Sequence, residues 1–593
     1  MRKKKKNLKK LEAKILLLFQ NSSHSEYNYK QLASKLKVRD TKGRNDIIRV
    51  LDILLKKEKL ISEERGKYRF KRVKVNKEEA QLRIIPSGKG VVFLASRRED
   101  IIIPRKYINK ALDGDLVEIS VHNKKKNVEA HVESIILRAD KEYVGILEKK
   151  NDFAFVICKN SSIYTDFFIE KNEVKDYNDG EKVVVKFKSW DDNQDSPNGK
   201  IIKSLGIPGE TETEIHAILH DYALPYEFPT AVIEEASYIS SKIDKREIKK
   251  RKDFRKSLTF TIDPKTAKDF DDAISFKDLG EGKIEVGIHI ADVSHYVKSN
   301  TKLDAESYDR ATSVYLVDRV IPMLPEVLSN ELCSLRPQEE KLTFSAVFTL
   351  GETGKVLDEW YGRTIIYSDY RFTYEEVQCM LDTDRPEVSE LASLTEKKYI
   401  VSEETFNAIK TLNYHAKLLR KKRMKQGAIT FDRVEVDFKL DREKMPESVF
   451  FKTSKDANKL IEEFMLLTNR KVAEFIGKKK QKLPFVYRVH DGPDEQKLEN
   501  LKQTVNSFGY LFNPSEKKIS EEINGLLQAC KGKREQNLID TLALRCMSKA
   551  IYTTQNIGHY GLAFTYYTHF TSPIRRYPDI LVHRLLLSYL GEG

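Results

Sequence analysis

The spacing of apolar residues changes along the chain, and each change marks a different kind of unit. Near the start it is helical. Leu11, Ile15, Leu16 and Phe19 fall on one stripe, and the segments Tyr29–Leu36 and Asp46–Leu55 predict two further helices. Leu60-Ile-Ser and Lys67-Tyr-Arg-Phe70 then flank Gly66 and predict a hairpin. Helices followed by a small wing make a nucleic-acid-binding shape. A protein-docking module is the competing reading.

From residue 80 to 208 the pattern becomes short strands with turns, in two successive units. The first runs through Gly88–Phe93, Ile101–Pro104 and Gly114–Ile119. The second runs through Tyr143–Leu147, Phe153–Ile157, Phe167–Ile169 and Lys182–Phe187. Apolar strands, Gly-Asp turns and valine-rich strands in that order predict small five-stranded barrels of the OB or cold-shock type. Phe93, Phe153 and Phe155 are either stacking platforms for bases or barrel core. Residues 209–256, with Pro225, Pro229 and the basic run Lys245–Lys252, predict a link. Beyond 257 strands and helices mix. The expected fold class is therefore multidomain α+β: a basic arm and winged-helix module (1–75), two barrels (80–140 and 141–208), a link (209–256) and a mixed α/β domain (257–593).

Composition sharpens this picture. A chain of 593 residues is too long for one core, and its formal net charge of +15 favours polyanionic partners. The five cysteines are scattered with no CxxC pair, which argues against zinc ribbons and a disulfide framework and suits a reducing cytoplasm. The basic start Met1–Lys10 leads into no signal-type stretch, and Ile15–Phe19 is too short to span a membrane. That arm either adds phosphate contact or only solubilises. No Walker-type phosphate loop is present, so an ATP-driven helicase is not supported.

Against this basic background stands a knot of carboxylates: Asp263, Asp269, Asp271 and Asp272. Acids so close repel one another unless a proton or cation neutralises them. The fitting neutraliser is a hard divalent ion, Mg²⁺ or Mn²⁺. Pro264 predicts a turn after Asp263, with the strand-like runs Leu258–Ile262 and Ala273–Phe276 on either side. An EF-hand frame fails in both alignments, since Ile274 and Gly280 stand where Gly and Glu are needed, or Lys265 and Ala267 where ligands are needed. A solvated acidic turn is the plainer alternative. A metal in an acidic pocket of a polyanion-binding protein points to phosphodiester chemistry, for which two metals about 4 Å apart are the general solution.

The string Thr261-Ile-Asp-Pro-Lys-Thr-Ala-Lys-Asp-Phe-Asp-Asp272 resembles the catalytic signature of the ribonuclease II/R family of exoribonucleases. Gly287–Tyr296, Ser313–Leu316, Ile321–Asn330 and His569–Asp579 resemble that family's later blocks, in the expected order. Two barrels ahead of the catalytic region match the family plan, and the helical module before them matches its R branch. The resemblance implies a metal-dependent, processive 3′→5′ exoribonuclease that releases nucleoside 5′-monophosphates from single-stranded and structured RNA, in RNA decay and quality control. It also implies Mg²⁺ or Mn²⁺, two ions, in a cytoplasmic monomer that contacts RNA and the ribosome or other RNA-decay proteins, and no membrane.

Residue by residue, the resemblance assigns the four aspartates to the metal site, with Asp271 the most critical for cleavage. It assigns Arg575, on the stiff loop between Pro573 and Pro578, to the scissile phosphate, and Tyr315 and Phe431 to stacking on the last bases. Asp579 is the expected cap of the helix that follows, and a structural ion pair suits Arg576 better than Arg575. Glu462 or its neighbour Glu463 would contact the terminal ribose; helical spacing buries Ile461, Phe464, Thr468 and Val472 and leaves Glu462 on a neighbouring face. His289 and His295 read as satisfied buried imidazoles, beside Asp292, and not as ligands. Family members continue past the position of Gly593, so the expectation is a fragment or a shortened protein whose last helix, rich in leucine, lacks its neighbours. The alternative function is a truncated, non-catalytic RNA-binding or winged-helix regulatory protein.

Overall fold

The structure is a computed structural model. It describes the chain except residues 1–10, 13, 20–25, 58, 63–65, 71–76, 95, 97–98, 125–126, 161, 432–434, 442–445, 515–518 and 592–593. The expected basic arm therefore lies outside the described residues. The chain divides into two compact units, Met1–Ala223 and Leu224–Gly593.

Residues 11–12 and 14–19 are helical, and two further helices follow, Tyr29–Lys35 and Thr41–Lys56, started by Asn28 and Asp40 side chains that accept from backbone N–H groups of the first turn. Beside them β1 (Tyr27–Asn28), β2 (Leu60–Ile61) and β3 (Lys67–Phe70) form a three-stranded sheet in the order β1-β3-β2. Gly66 takes the positive φ that the turn requires. The arrangement is compatible with a winged helix.

Two closed barrels follow. The first is built from β4 (Lys77–Ile84), β5 (Gly90–Leu94), β6 (Glu99–Ile103), β7 (Leu116–Lys124) and β8 (Asn127–Leu137). The second uses β9 (Glu142–Lys149), β10 (Phe153–Ile157), β11 (Phe167–Glu170), β12 (Lys182–Ser189) and β13 (Asn198–Gly206). Alternation fixes what fills them: Ala154 and Val156 of β10 enter the core with Phe167 and Ile169 of β11. Phe153 and Phe155 therefore face outward, where they meet Phe168 in a three-ring cluster with centroids 5.7–5.9 Å apart. Phe93 is exposed on the first barrel. These rings are not barrel core.

The segment expected to be a link is half helical, and it splits between the units. Thr211–Asp221 packs Ala217 on Val144 and Val184 of the second barrel, with Glu214 paired to Lys182. Helices Thr230–Ser237 and Lys245–Lys249 belong to the second unit.

That unit is built on seven strands in the order β14-β21-β20-β17-β16-β15-β22. They are β14 (Lys252–Asp253), β15 (Thr259–Asp263), β16 (Asp272–Gly280), β17 (Lys283–Ala291), β20 (Glu340–Leu350), β21 (Val356–Tyr367) and β22 (Tyr370–Thr373). A separate hairpin pairs β18 (Val314–Tyr315) with β19 (Val320–Ile321). The sheet is apolar on both faces, so it needs two covers. Ile274, Ile288 and Ile290 point to a core shared with helices Tyr374–Thr383, Glu403–Lys425 and Asp456–Gly477. Ala273, Ala291 and Val347 point to a second core with Val232, Ala236 and Phe270. The helix Tyr577–Tyr589 serves both, with Ile580 in one core and Val582 and Leu586 in the other. Its other leucines pack partly buried against the same cores, so the expectation that this helix lacks neighbours is corrected. Helices Glu495–Ser507, Ile519–Cys530 and Gln536–Cys546 enclose a smaller core of their own.

Candidate active site

The acidic cluster arises where two paired strands part. β15 and β16 are in register at Thr259↔Ser275 and Phe260↔Ile274, and the connecting residues 264–271 then leave the sheet. Phe270 turns its ring into the second core. Its neighbours Asp269 and Asp271 are thereby directed away from the core ring between them. The Ala291 N–H donates to the Asp271 carbonyl at 2.9 Å, which ties the end of the loop to β17.

Two side chains that no sequence pattern singles out fix the loop. Ser334 Oγ accepts from the Phe270 N–H at 3.0 Å and donates to the Lys268 carbonyl at 2.7 Å. Arg371, on β22, donates to the carbonyls of Pro264, Lys265 and Ala267. Both partners are remote in sequence, so no local pattern pointed to them.

Asp271 is buried. Its Oδ1 accepts from the Ile574 N–H at 2.8 Å, while its Oδ2 is buried with no hydrogen-bond partner; the nearest cation is Arg575 Nε at 3.5 Å. Asp263 Oδ2 is orphaned in the same way. An unsatisfied carboxylate oxygen in the dry interior is costly. The same burial disfavours the ionised form of these groups. Burial, and then the charge of Asp272, pushes the Asp263 carboxyl well above its ordinary range. Burial raises Asp271 despite the opposing Arg575 charge and Ile574 hydrogen bond. Burial pushes Asp272 up to about 6, against the pull of Arg575 and Arg576. Among the described residues no three His, Cys, Asp or Glu side chains close by themselves into a metal cage.

The loop Thr571–Arg576 faces this cluster. Asp579, fully buried, accepts from the Ser572 N–H and from Arg576 Nη2, both at 2.8 Å. The helix starts at Tyr577, so the expectation that Asp579 is its N-cap is corrected: Asp579 lies in the first turn and braces the preceding loop. Asn469 holds the other end, accepting from the Phe570 N–H at 2.8 Å. Arg576 is thus engaged in an ion pair, whereas Arg575 is 41% exposed, with Nη2 on Ser572 Oγ at 3.0 Å. Ser313 N–H and Thr312 Oγ1 donate to the Arg575 carbonyl at 3.0 and 2.9 Å. This couples the arginine loop to β18 and Tyr315. The Tyr315 side chain is 52% exposed, and its hydroxyl donates to Asp269 Oδ2 at 2.9 Å. Burial and the Asp269 charge hold that hydroxyl protonated.

The remaining expected residues lie on other elements. Glu463 is 3% exposed and forms a two-pronged pair with Arg423, at 2.5 Å from Nη2 and 3.3 Å from Nε. Glu462, 46% exposed, stands 3.5 Å from the same guanidinium. Phe431 packs partly buried against the small three-helix core. His289 is enclosed between Ser345 Oγ (2.7 Å) and Ser275 Oγ (2.8 Å), and burial lowers its pKa to about 3. Asp292 pairs with Arg251 at 2.7 Å and Arg363 at 3.1 Å. His295, at 3.6 Å from Glu247, belongs to that network. These are internal polar links of the fold.

Known proteins are similar to this chain in sequence and in fold. The RNB domain family matches residues 251–592, and the cold shock domain family matches residues 155–229. Ribonuclease R of Aquifex aeolicus is 34% identical over 588 residues, covering 98% of this chain and 80% of that protein. A solved structure, Mycoplasma genitalium RNase R in complex with ribose methylated single-stranded RNA, has a TM-score of 0.79 at 27% identity, covering 86% of this chain and 79% of that one. The structure of yeast Ssd1, a pseudonuclease, shares the fold at 19% identity, with a TM-score of 0.65, covering 92% of this chain and 70% of that one.

Proposed function

This chain belongs to the ribonuclease II/R family of RNB-domain exoribonucleases, and we propose that its acidic loop is the metal site of a processive 3′→5′ exoribonuclease acting on single-stranded RNA. The 3′→5′ exoribonuclease activity and the dependence on divalent metal are those of the family. Processivity, the nucleoside 5′-monophosphate product, Mg²⁺ as the ion and a pair of ions are our reading, as are the residue roles below, a monomeric state and a cytoplasmic location.

One observation carries the assignment: Asp263 and Asp271 each hold an orphaned, buried carboxylate oxygen, and that of Asp271 lies 3.5 Å from the half-exposed Arg575. A hard cation is the partner such oxygens fit. Mg²⁺ keeps waters and completes its shell with substrate phosphates, so it does not require a closed cage of protein acids. When bound, the ions supply an activated water and neutralise charge on the phosphate oxygens.

The chain's own groups do the rest. Asp271 is fixed by the Ile574 N–H, so its free oxygen keeps one orientation. Arg575 is anchored on Ser572 at one side and leaves further guanidinium N–H groups to clamp the scissile phosphate. The exposed Tyr315 ring stacks on a terminal base without regard to its identity, and Phe431 gives a second ring. Glu462 accepts from a hydroxyl of the terminal ribose, since Glu463 is committed to Arg423. The exposed rings Phe93 and Phe153, with the partly buried Phe155 beside the latter, suit contact with upstream RNA.

The fold shared with a pseudonuclease means that fold alone does not decide between catalysis and mere RNA binding. The four aspartates and Arg575, all present here, favour catalysis. The test incubates 5′-labelled single-stranded RNA and matched DNA with the protein in Mg²⁺ or chelator. In Mg²⁺ the label on RNA collects in a short oligomer without a ladder of intermediates. Binding without cleavage in every condition would establish the regulatory alternative.

A further inference from the structure

We propose that Arg371 is a positioning residue for the reaction, holding the acidic loop in the shape that lets its aspartates take a divalent cation. The inference rests on the reading of that loop as the metal site. β22 runs parallel to β15, with Arg371 opposite Thr261, so the guanidinium reaches along the loop from an adjacent strand. Nη2 donates to the Lys265 carbonyl at 2.9 Å and makes longer bonds to Pro264 at 3.3 Å and Ala267 at 3.4 Å. Its Cζ lies 5.0 Å from the centre of the buried Phe270 ring. The cation is thus stacked between the loop backbone and the core ring of the same loop.

This placement has a physical purpose. The turn after Pro264 directs three carbonyls to one side, and carbonyl dipoles so aligned repel unless a donor gathers them. A planar guanidinium can do so and also stack on the aromatic ring; an ammonium cannot reproduce that geometry. Ser334 grips the next residues, Lys268 and Phe270. Asp269 therefore sits between two pinned stretches, one of them 264–267. Its carboxylate meets Tyr315. Neither Arg371 nor Ser334 hydrogen-bonds an orphaned oxygen; both grip the loop backbone, and the charge that Arg371 also directs at Asp263 is retained in Arg371→Lys.

The experiment measures Mg²⁺ binding by calorimetry without RNA, and RNA binding in chelator, for wild type, Arg371→Lys and Ser334→Ala. Outer groups that orient metal ligands are worth about 10–100-fold in metal affinity. Arg371→Lys, which keeps the charge, is expected to weaken Mg²⁺ binding by about tenfold or more, with RNA binding in chelator unchanged and cleavage restored by raised Mg²⁺. Ser334→Ala should shift Mg²⁺ binding in the same direction, which keeps the test decisive if Arg371→Lys does not fold. Unaltered Mg²⁺ affinity in the folded variants overturns the proposal. Weaker Mg²⁺ binding by variants of a protein that leaves RNA intact would support this role of Arg371 while refuting the nuclease reading.

Discussion

At Asp271 one carboxylate oxygen is anchored to the Ile574 N–H and the other is left bare. Asparagine can keep the anchored oxygen but removes the charge that a cation needs. Asp271→Asn should therefore lower cleavage by about 10²–10³-fold or more while RNA stays bound, because a negative charge facing the phosphate is also removed. Filter binding and rate measurement on one preparation separate the two effects. The raised carboxyls make a second prediction. Burial pushes Asp272 up to about 6, above free aspartate, so without metal its protonated form predominates below that pH. Its contribution to stability is present in acid, below the unfolded value, and is lost as pH rises through about 6. Metal requires the ionised form. Mg²⁺ affinity should thus fall as pH drops through 6, and binding near pH 6.5 should release protons, detectable as a dependence of calorimetric heat on buffer ionisation enthalpy. Metal-free stability, compared with Asp272→Asn, should improve for wild type toward acid; a gap independent of pH would remove Asp272 from the account.

At the scale of elements, helix Asp456–Gly477 presents two adjacent glutamates with different fates. Glu463→Gln removes the buried charge paired with Arg423, leaving it only the longer contact to Glu462, and should cost up to about 3–5 kcal/mol of stability, read as a fall in denaturation midpoint. Glu462→Ala should leave the midpoint in place and reduce preference for RNA over DNA at the 3′ end; the reverse pattern would exchange the two assignments. The hairpin carrying Tyr315 gives a further case. A few terminal nucleotides make few phosphate contacts, and stacking is worth roughly 1–3 kcal/mol per base. Tyr315→Ala should therefore end degradation at a longer limit product; a limit product of unchanged length would show that the ring does not stack there. Sequence made much of this visible. Helical spacing separated Glu462 from the buried stripe, and the turn at Pro264 marked the loop. It could not show that Arg423 takes Glu463, that Arg371 and Ser334 hold the loop, or that Asp579 braces Ser572. Those are tertiary choices of partner, and side-chain periodicity carries no information about them.

For the whole molecule, period-two alternation with turn residues announced two barrels, because a closed sheet must fill its inside and wet its outside. Periodicity could not decide whether Phe153 and Phe155 were inside, since either register of a strand alternates equally well; the smaller Ala154 and Val156 take the core. Nor did Pro225 and Pro229 mark a structureless link: they punctuate helices that pack on the flanking units. The apolar last helix looked unpartnered because its stripe is broad, whereas it joins two cores on the sheet. The central claim is that this fold brings Asp263, Asp271 and Arg575 together to hydrolyse RNA from its 3′ end with a divalent metal. The most direct measurement follows single-stranded RNA labelled at its 3′-terminal nucleotide, incubated in Mg²⁺ with wild type and with Asp271→Asn. The account predicts that wild type releases the label as a nucleoside 5′-monophosphate from the earliest times, and that Asp271→Asn, or wild type in chelator, leaves it on full-length RNA. Label retained on shortening fragments, or release that persists in Asp271→Asn or in chelator, would contradict it.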